Sequence, residues 1–173
     1  MAEPPLTDGV VTLRSWQKSD AAELVECLNG EPEITRWLDQ VPQPYRTKDA
    51  LAYFRGIGET AFAITDAKTG RVLGSIGVRF SENGDVGEIG YWLRDDARGR
   101  GIMTRAVRVV VAWAFGRGNV HRLQLRADVD NIPSRRAAER AGFKLEGVLR
   151  SVHWNERLGR RQDWALYSLL PED

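Results

Sequence analysis

The stretch from Thr60 to Arg117 limits most strongly what this chain can become. Residues 61–65, 72–80 and 86–93 read as strands, and the turn between the last two is Glu82-Asn83-Gly84-Asp85. Connections that short imply an antiparallel meander. Directly after it, residues 102–117 form an apolar run in which Val109-Val110-Val111 would also suit a strand. Its length decides for a helix, because typical strands are only about 5–6 residues long. Apolar nearly all round, that helix should lie buried against the sheet.

The other segments fit around this frame. Residues 10–14 alternate as a strand, and Ser19-Asp20 can cap a helix whose stripe is Ala21, Leu24, Val25 and Leu28. Residues 33–38 read as a short helix, and Thr47 opens another that stops at Gly56. Residues 122–130 suit a strand. Residues 131–141 suit a helix with Pro133 in its first turn and Gly142 at its C-terminal cap. Residues 143–154 and 162–170 close the chain as a strand pair around a loop over residues 155–161. No linker or repeat interrupts this order. The expectation is one α/β domain over residues 1–173 around a mixed sheet, with a flexible lead over residues 1–9.

A chain of 173 residues, 42% hydrophobic and 28% charged, can bury a core that needs neither metal nor disulfide. The single cysteine, Cys27, lies between Leu24 and Leu28 and reads as a core residue. The first nine residues carry acid and proline where a signal peptide needs basic and then apolar residues. The most apolar stretch, residues 106–115, is interrupted by Arg108 and is too short for a bilayer. A cytoplasmic protein with no membrane partner is the expectation. The net charge of +1 hides an asymmetry: residues 94–150 hold 13 basic and 6 acidic side chains. That excess suits either a solvated face or an anionic ligand. No nucleic-acid motif accompanies it, so a nucleic-acid partner is not expected.

The junction Tyr91-Trp92-Leu93-Arg94-Asp95-Asp96-Ala97-Arg98-Gly99-Arg100-Gly101-Ile102-Met103-Thr104 carries the chemistry. A strand ends, two glycines let the backbone approach a ligand, and a helix opens with its amide groups unsatisfied. Those donors and the helix dipole favour an anion, and Arg98 and Arg100 add charge. There is no Gly-Lys-Ser/Thr ending and no Gly-x-Gly-x-x-Gly after an early strand, which excludes the usual nucleoside-triphosphate and dinucleotide loops.

Arg98-x-x-Gly101-x-Met103 resembles the Gln/Arg-x-x-Gly-x-Gly/Ala signature of the GNAT N-acetyltransferase superfamily, with Met103 departing from the usual small residue. Gly90-Tyr91-Trp92-Leu93 before the loop, Asn131-x-x-Ser134 ahead of Ala141-Gly142-Phe143, and Tyr167-Ser168-Leu169-Leu170 extend the likeness over residues 10–170. It is most similar to the ribosomal-protein alanine N-acetyltransferase branch. The resemblance implies a single-domain α/β fold with a mixed, mostly antiparallel sheet, splayed in the middle and flanked by helices. It implies transfer of an acetyl group from acetyl-coenzyme A, without a metal, to a primary amine in a ternary complex. Protein N-termini and small molecules are the acceptors to consider, and a homodimer is compatible with the pattern. A non-catalytic acyl-coenzyme A-binding module on the same fold is the alternative, because Ala138 stands where many relatives have a tyrosine.

The resemblance further implies that pantetheine lies along residues 89–93, where that strand parts from residues 123–129. Tyr91, Trp92, Leu93, Arg98, Gly99, Arg100, Gly101, Ile102, Met103, Thr104, Asn131 and Ser134 then hold the cofactor. Amine attack on a thioester needs a base, since amines titrate near ~8 to ~10. It also needs oxyanion donors, for which the Trp92 and Leu93 amides are candidates. Ser134 is the candidate donor to the departing thiol, although a first-turn serine can equally serve its helix. Glu88 is the first candidate base, in the strand where several relatives carry a glutamate. His153 is the second, imidazole being the side chain that changes charge near neutral pH. Glu146 and Asp163 are further carboxylates. Trp37, Trp154 and Trp164 could line an acceptor pocket, and Glu31, Glu33 and Asp39 could attract a cationic amine.

Overall fold

A computed structural model describes residues 5–56 and 60–173. Its strands are β1 (Leu6–Thr7), β2 (Val11–Ser15), β3 (Ala61–Asp66), β4 (Val72–Phe80), β5 (Val86–Leu93), β6 (Arg122–Asp128), β7 (Lys144–Asn155) and β8 (Arg160–Leu169). The helices are α1 (Ala21–Gly30), α2 (Pro32–Trp37), α3 (Thr47–Gly56), α4 (Ile102–Gly116) and α5 (Ile132–Arg140). All eight strands form one sheet in the order β1-β2-β3-β4-β5-β6-β8-β7, in which β5 and β6 alone run parallel. This is the mixed, mostly antiparallel sheet expected of the sequence. The parallel pair requires a crossover, and α4 supplies it.

The two faces of the sheet are covered by different helices. On one, Ile64, Ile76, Leu123 and Leu125 pack against Val107 and Val110 of α4, all at most 1% exposed. On the other, Leu24, Leu28 and Ala50 of α1 and α3 form a second cluster that meets Trp92. Cys27 belongs to that cluster, and burial pushes its thiol up to about 12, as suits a packing residue.

Two expectations change. Helix α4 is not buried all round: Ile102, Met103, Ala106, Val107, Val110 and Ala114 are inside, while Arg105, Arg108 and Ala112 face out. One layer of sheet can cover only one stripe of a helix. The lead expected over residues 1–9 is a paired edge strand at Leu6 and Thr7, which meet Leu13 and Thr12. Residues 1–4 of that lead lie outside the described residues.

The central feature is where β5 and β6 part. Their ladder runs from Val86↔Arg122 to Ile89↔Leu125 and stops. Beyond it β5 stays paired with β4 as far as Gly74↔Leu93, and β6 stays paired with β8 as far as Asp128↔Trp164. The two halves of the sheet diverge there and leave a slot.

Candidate active site

Gly99 and Gly101 give the loop between β5 and α4 its shape. Both adopt left-handed backbone, φ 71° and 73°, and a Cβ at either would meet nothing within 4 Å. Glycine is needed for conformation there, and the space beside it is open. The first hydrogen bond of α4 runs from Arg105 N–H to the Gly101 carbonyl at 3.1 Å. Backbone amides from Gly99 to Thr104 therefore have no acceptor among the described residues, and they make a fit for a pyrophosphate.

Arg98 does not add its side chain to that cradle. Its Nε and Nη2 donate to the Leu93 carbonyl at 3.2 and 3.0 Å, and Nη1 reaches Asp95 at 3.2 Å. Arg98 therefore fastens the loop to the end of β5. Glu31 strengthens the same junction by accepting from Asp95 N–H at 2.6 Å. Arg100 is exposed beside the open amides, and Met103 turns into the core at 8% exposure.

The amides along β5 alternate in direction. Arg94 N–H donates to Leu73 of β4, so those of Trp92 and Gly90 point to β4 as well. Tyr91 and Leu93 turn theirs toward the slot. Of the two amides expected to face the acetyl oxygen, that of Leu93 therefore turns to the slot and that of Trp92 turns to β4, while the Tyr91 amide also faces the slot.

Across the slot, Asn131 caps α5 by accepting from Ser134 N–H at 3.3 Å. The Ser134 hydroxyl is consequently not needed by its own helix. It donates to the Tyr91 hydroxyl at 3.2 Å, while Tyr91 donates to the Ser134 carbonyl at 2.9 Å. Burial pushes the Tyr91 phenol up to about 12.

One cavity of about 590 Å³ takes in the slot, Ser134 and the ground between α2 and β8. His153 and Glu88 both line it. His153 Nε2 lies 2.9 and 3.1 Å from the two oxygens of Asp39, and its ring stacks on Trp164 at 5.6 Å. An ionised carboxylate only accepts, so Nε2 carries the hydrogen and Nδ1 is left as the basic nitrogen. Glu88 is held at both oxygens, by Arg126 at 2.5 Å and Gln124 at 3.1 Å.

Of the three tryptophans considered for an acceptor pocket, Trp37 and Trp164 line this cavity and Trp154 does not. It follows His153 on the strand, so it points to the opposite face and is 46% exposed. Glu146 is held by Arg122 and Ser168 outside the cavity, and Asp163 accepts from Ser151 N–H. Asp39 emerges as the partner of His153, 114 residues away in sequence. Arg157 places it there. Its guanidinium donates to the carbonyls of Thr35 at 2.6 Å, Leu38 at 2.7 Å and Val41, closing the C-terminal end of α2.

Comparison with known proteins agrees with this geometry. The acetyltransferase (GNAT) domain family matches residues 11–144. The uncharacterized N-acetyltransferase p20 of Bacillus licheniformis is 27% identical over 171 residues, 94% of each chain. A GNAT-family acetyltransferase from Bacillus anthracis superposes with a TM-score of 0.87 at 16% identity, over 98% of this chain and 100% of the other. A Salmonella typhimurium acetyltransferase that modifies the N-terminal serine of a 50S ribosomal subunit protein superposes with a TM-score of 0.80 at 21% identity, over 93% and 95%. The slot, the open amides and these matches agree: the chain belongs to the GNAT acetyltransferase family and is an acetyl-coenzyme A-dependent N-acetyltransferase.

Proposed function

We propose that this acetyltransferase acts on the α-amino group of a polypeptide, with His153 as the base and Ser134 as the donor to the departing thiolate. The observation that carries this reading is the cavity shared by the Asp39–His153 pair and Ser134. Acetyl-coenzyme A supplies the thioester. His153 Nδ1 takes the amine proton and Asp39 steadies the imidazolium that results. The amine nitrogen bonds to the acetyl carbon, and the Tyr91 and Leu93 amides face the charge that develops on its oxygen. The carbon–sulfur bond breaks with its electron pair on sulfur, where Ser134 donates a hydrogen bond.

A polypeptide acceptor is supported by β7. Five of the seven large apolar side chains exposed among the described residues lie on it: Leu145, Val148, Leu149, Val152 and Trp154. The same strand delivers His153 to the cavity. Val152 and Trp154 flank His153 and turn to the opposite face of the strand, so this apolar surface lies on the outer edge of the sheet beside the site. An exposed edge of that kind suits contact with a chain better than with a small amine. The Salmonella protein's acceptor, a protein N-terminus, is in line with this reading.

The pH–rate profile tests the base. The rate should fall toward acid in the parent protein and in Glu88→Gln, whereas His153→Gln should lose that limb together with about 10²–10⁴ of turnover. A limb that survives His153→Gln and vanishes in Glu88→Gln makes Glu88 the base.

A further inference from the structure

The Tyr91 ring reaches from β5, on one side of the slot, to the first turn of α5 on the other. A phenol has one hydrogen and two lone pairs. Its hydrogen is taken by the Ser134 carbonyl at 2.9 Å, so the Tyr91 oxygen offers only lone pairs to the Ser134 hydroxyl 3.2 Å away. Both bonds end on one residue, which fixes its main chain and its side chain together. We infer that Tyr91 is a positioning residue for Ser134, parking the serine hydrogen on a weak acceptor beside the slot until thiolate charge appears. This rests on the assignment of Ser134 to the departing thiol.

Three features of the contact favour this role. Asn131 already satisfies the Ser134 amide, so α5 does not require the Tyr91 oxygen. A neutral phenol is a poorer acceptor than a thiolate, and hydrogen bonds to an ionised partner are roughly twice as strong as neutral ones. The serine hydrogen therefore moves to sulfur once the carbon–sulfur electron pair arrives there. The Tyr91 phenol keeps its own proton, because burial holds it far from ionisation.

The thiol of bound coenzyme A reports on this contact without any acceptor. Its ionisation can be followed by ultraviolet absorbance of the thiolate in the protein–coenzyme A complex, for the parent, Ser134→Ala, Tyr91→Phe and the double variant. In the parent the bound thiol should titrate below the free one. Ser134→Ala should move it up by about one to two units, the worth of a hydrogen bond to a charged partner. Tyr91→Phe should move it up by about half a unit to one unit, and the double variant should match Ser134→Ala. Each protein is titrated at a coenzyme A concentration that saturates it, so that the bound thiol alone is read. No movement in Tyr91→Phe beside a clear movement in Ser134→Ala overturns the role of Tyr91 alone. No movement in Ser134→Ala overturns the assignment of Ser134 and this inference with it. Additive shifts in the double variant, or loss of coenzyme A binding in Tyr91→Phe, make Tyr91 independent of Ser134 and overturn the inference as well.

Discussion

Single residues decide whether the slot can hold its ligand. Gly101 is the sharpest case, since its φ of 73° excludes an ordinary side chain while the space around it is open. Substitution there should alter the backbone and the amides it presents, with little effect on packing. Coenzyme A should raise the melting temperature of the parent protein by mass action. Gly101→Val should remain folded and lose that rise. An unchanged rise in Gly101→Val would falsify the assignment of this loop. Ser134 differs in kind, because its hydroxyl serves Tyr91 and not its helix. With an accepted amine, Ser134→Ala should lower turnover about 10–150-fold at unchanged melting temperature. Full turnover in a destabilised Ser134→Ala would reduce it to a helix residue.

Among the elements, β6, β7 and β8 are tied together by Glu146. Arg122 forks onto both its oxygens at 2.7 Å, and Ser168 donates at 2.6 Å. The hydrogen bonds from Arg122, then Ser168, hold this carboxyl down at about 2 from an ordinary 4.5. A carboxyl depressed in the folded state stabilises the protein above its unfolded value and loses that contribution as pH falls. The relevant window is thus from 4.5 down to about 2. The Glu146 side chain is 40% exposed, so solvent screening limits the contribution to about 1 kcal/mol. Glu146→Gln should lower the neutral-pH melting temperature by about 2–4 °C and flatten the loss of stability through that window. An equally steep acid loss in Glu146→Gln would show that the fork contributes nothing.

On the scale of the whole molecule, local pattern and long-range contact were unequally legible in the sequence. The meander, α4 and the capped α5 follow from turns, apolar runs and an Asn-x-Pro start, which act within a few residues. The glycine loop was legible for the same reason. Side-chain partners were not. Nothing near Arg98 signals that it would fold back on Leu93, and nothing near Asp39 signals a histidine 114 residues later. Strand alternation could have separated Trp154 from His153 and the Trp92 amide from that of Leu93, given the register. The register is set by the assembled sheet.

Acceptor identity ties these scales together, because the proposed function brings a polypeptide amine into the cavity shared by the slot and the Asp39–His153 pair, beside the exposed apolar edge of β7. Thiol release from acetyl-coenzyme A, with mass analysis of the product, measures it directly. The acceptors are matched peptides with free or blocked N-termini, lysine-containing peptides and small polyamines. The expected result is thiol release with the free N-termini, one acetyl group on the α-amine, and no release once that amine is blocked. Equal turnover of free and blocked lysine-containing peptides, or turnover of polyamines alone, would contradict the account.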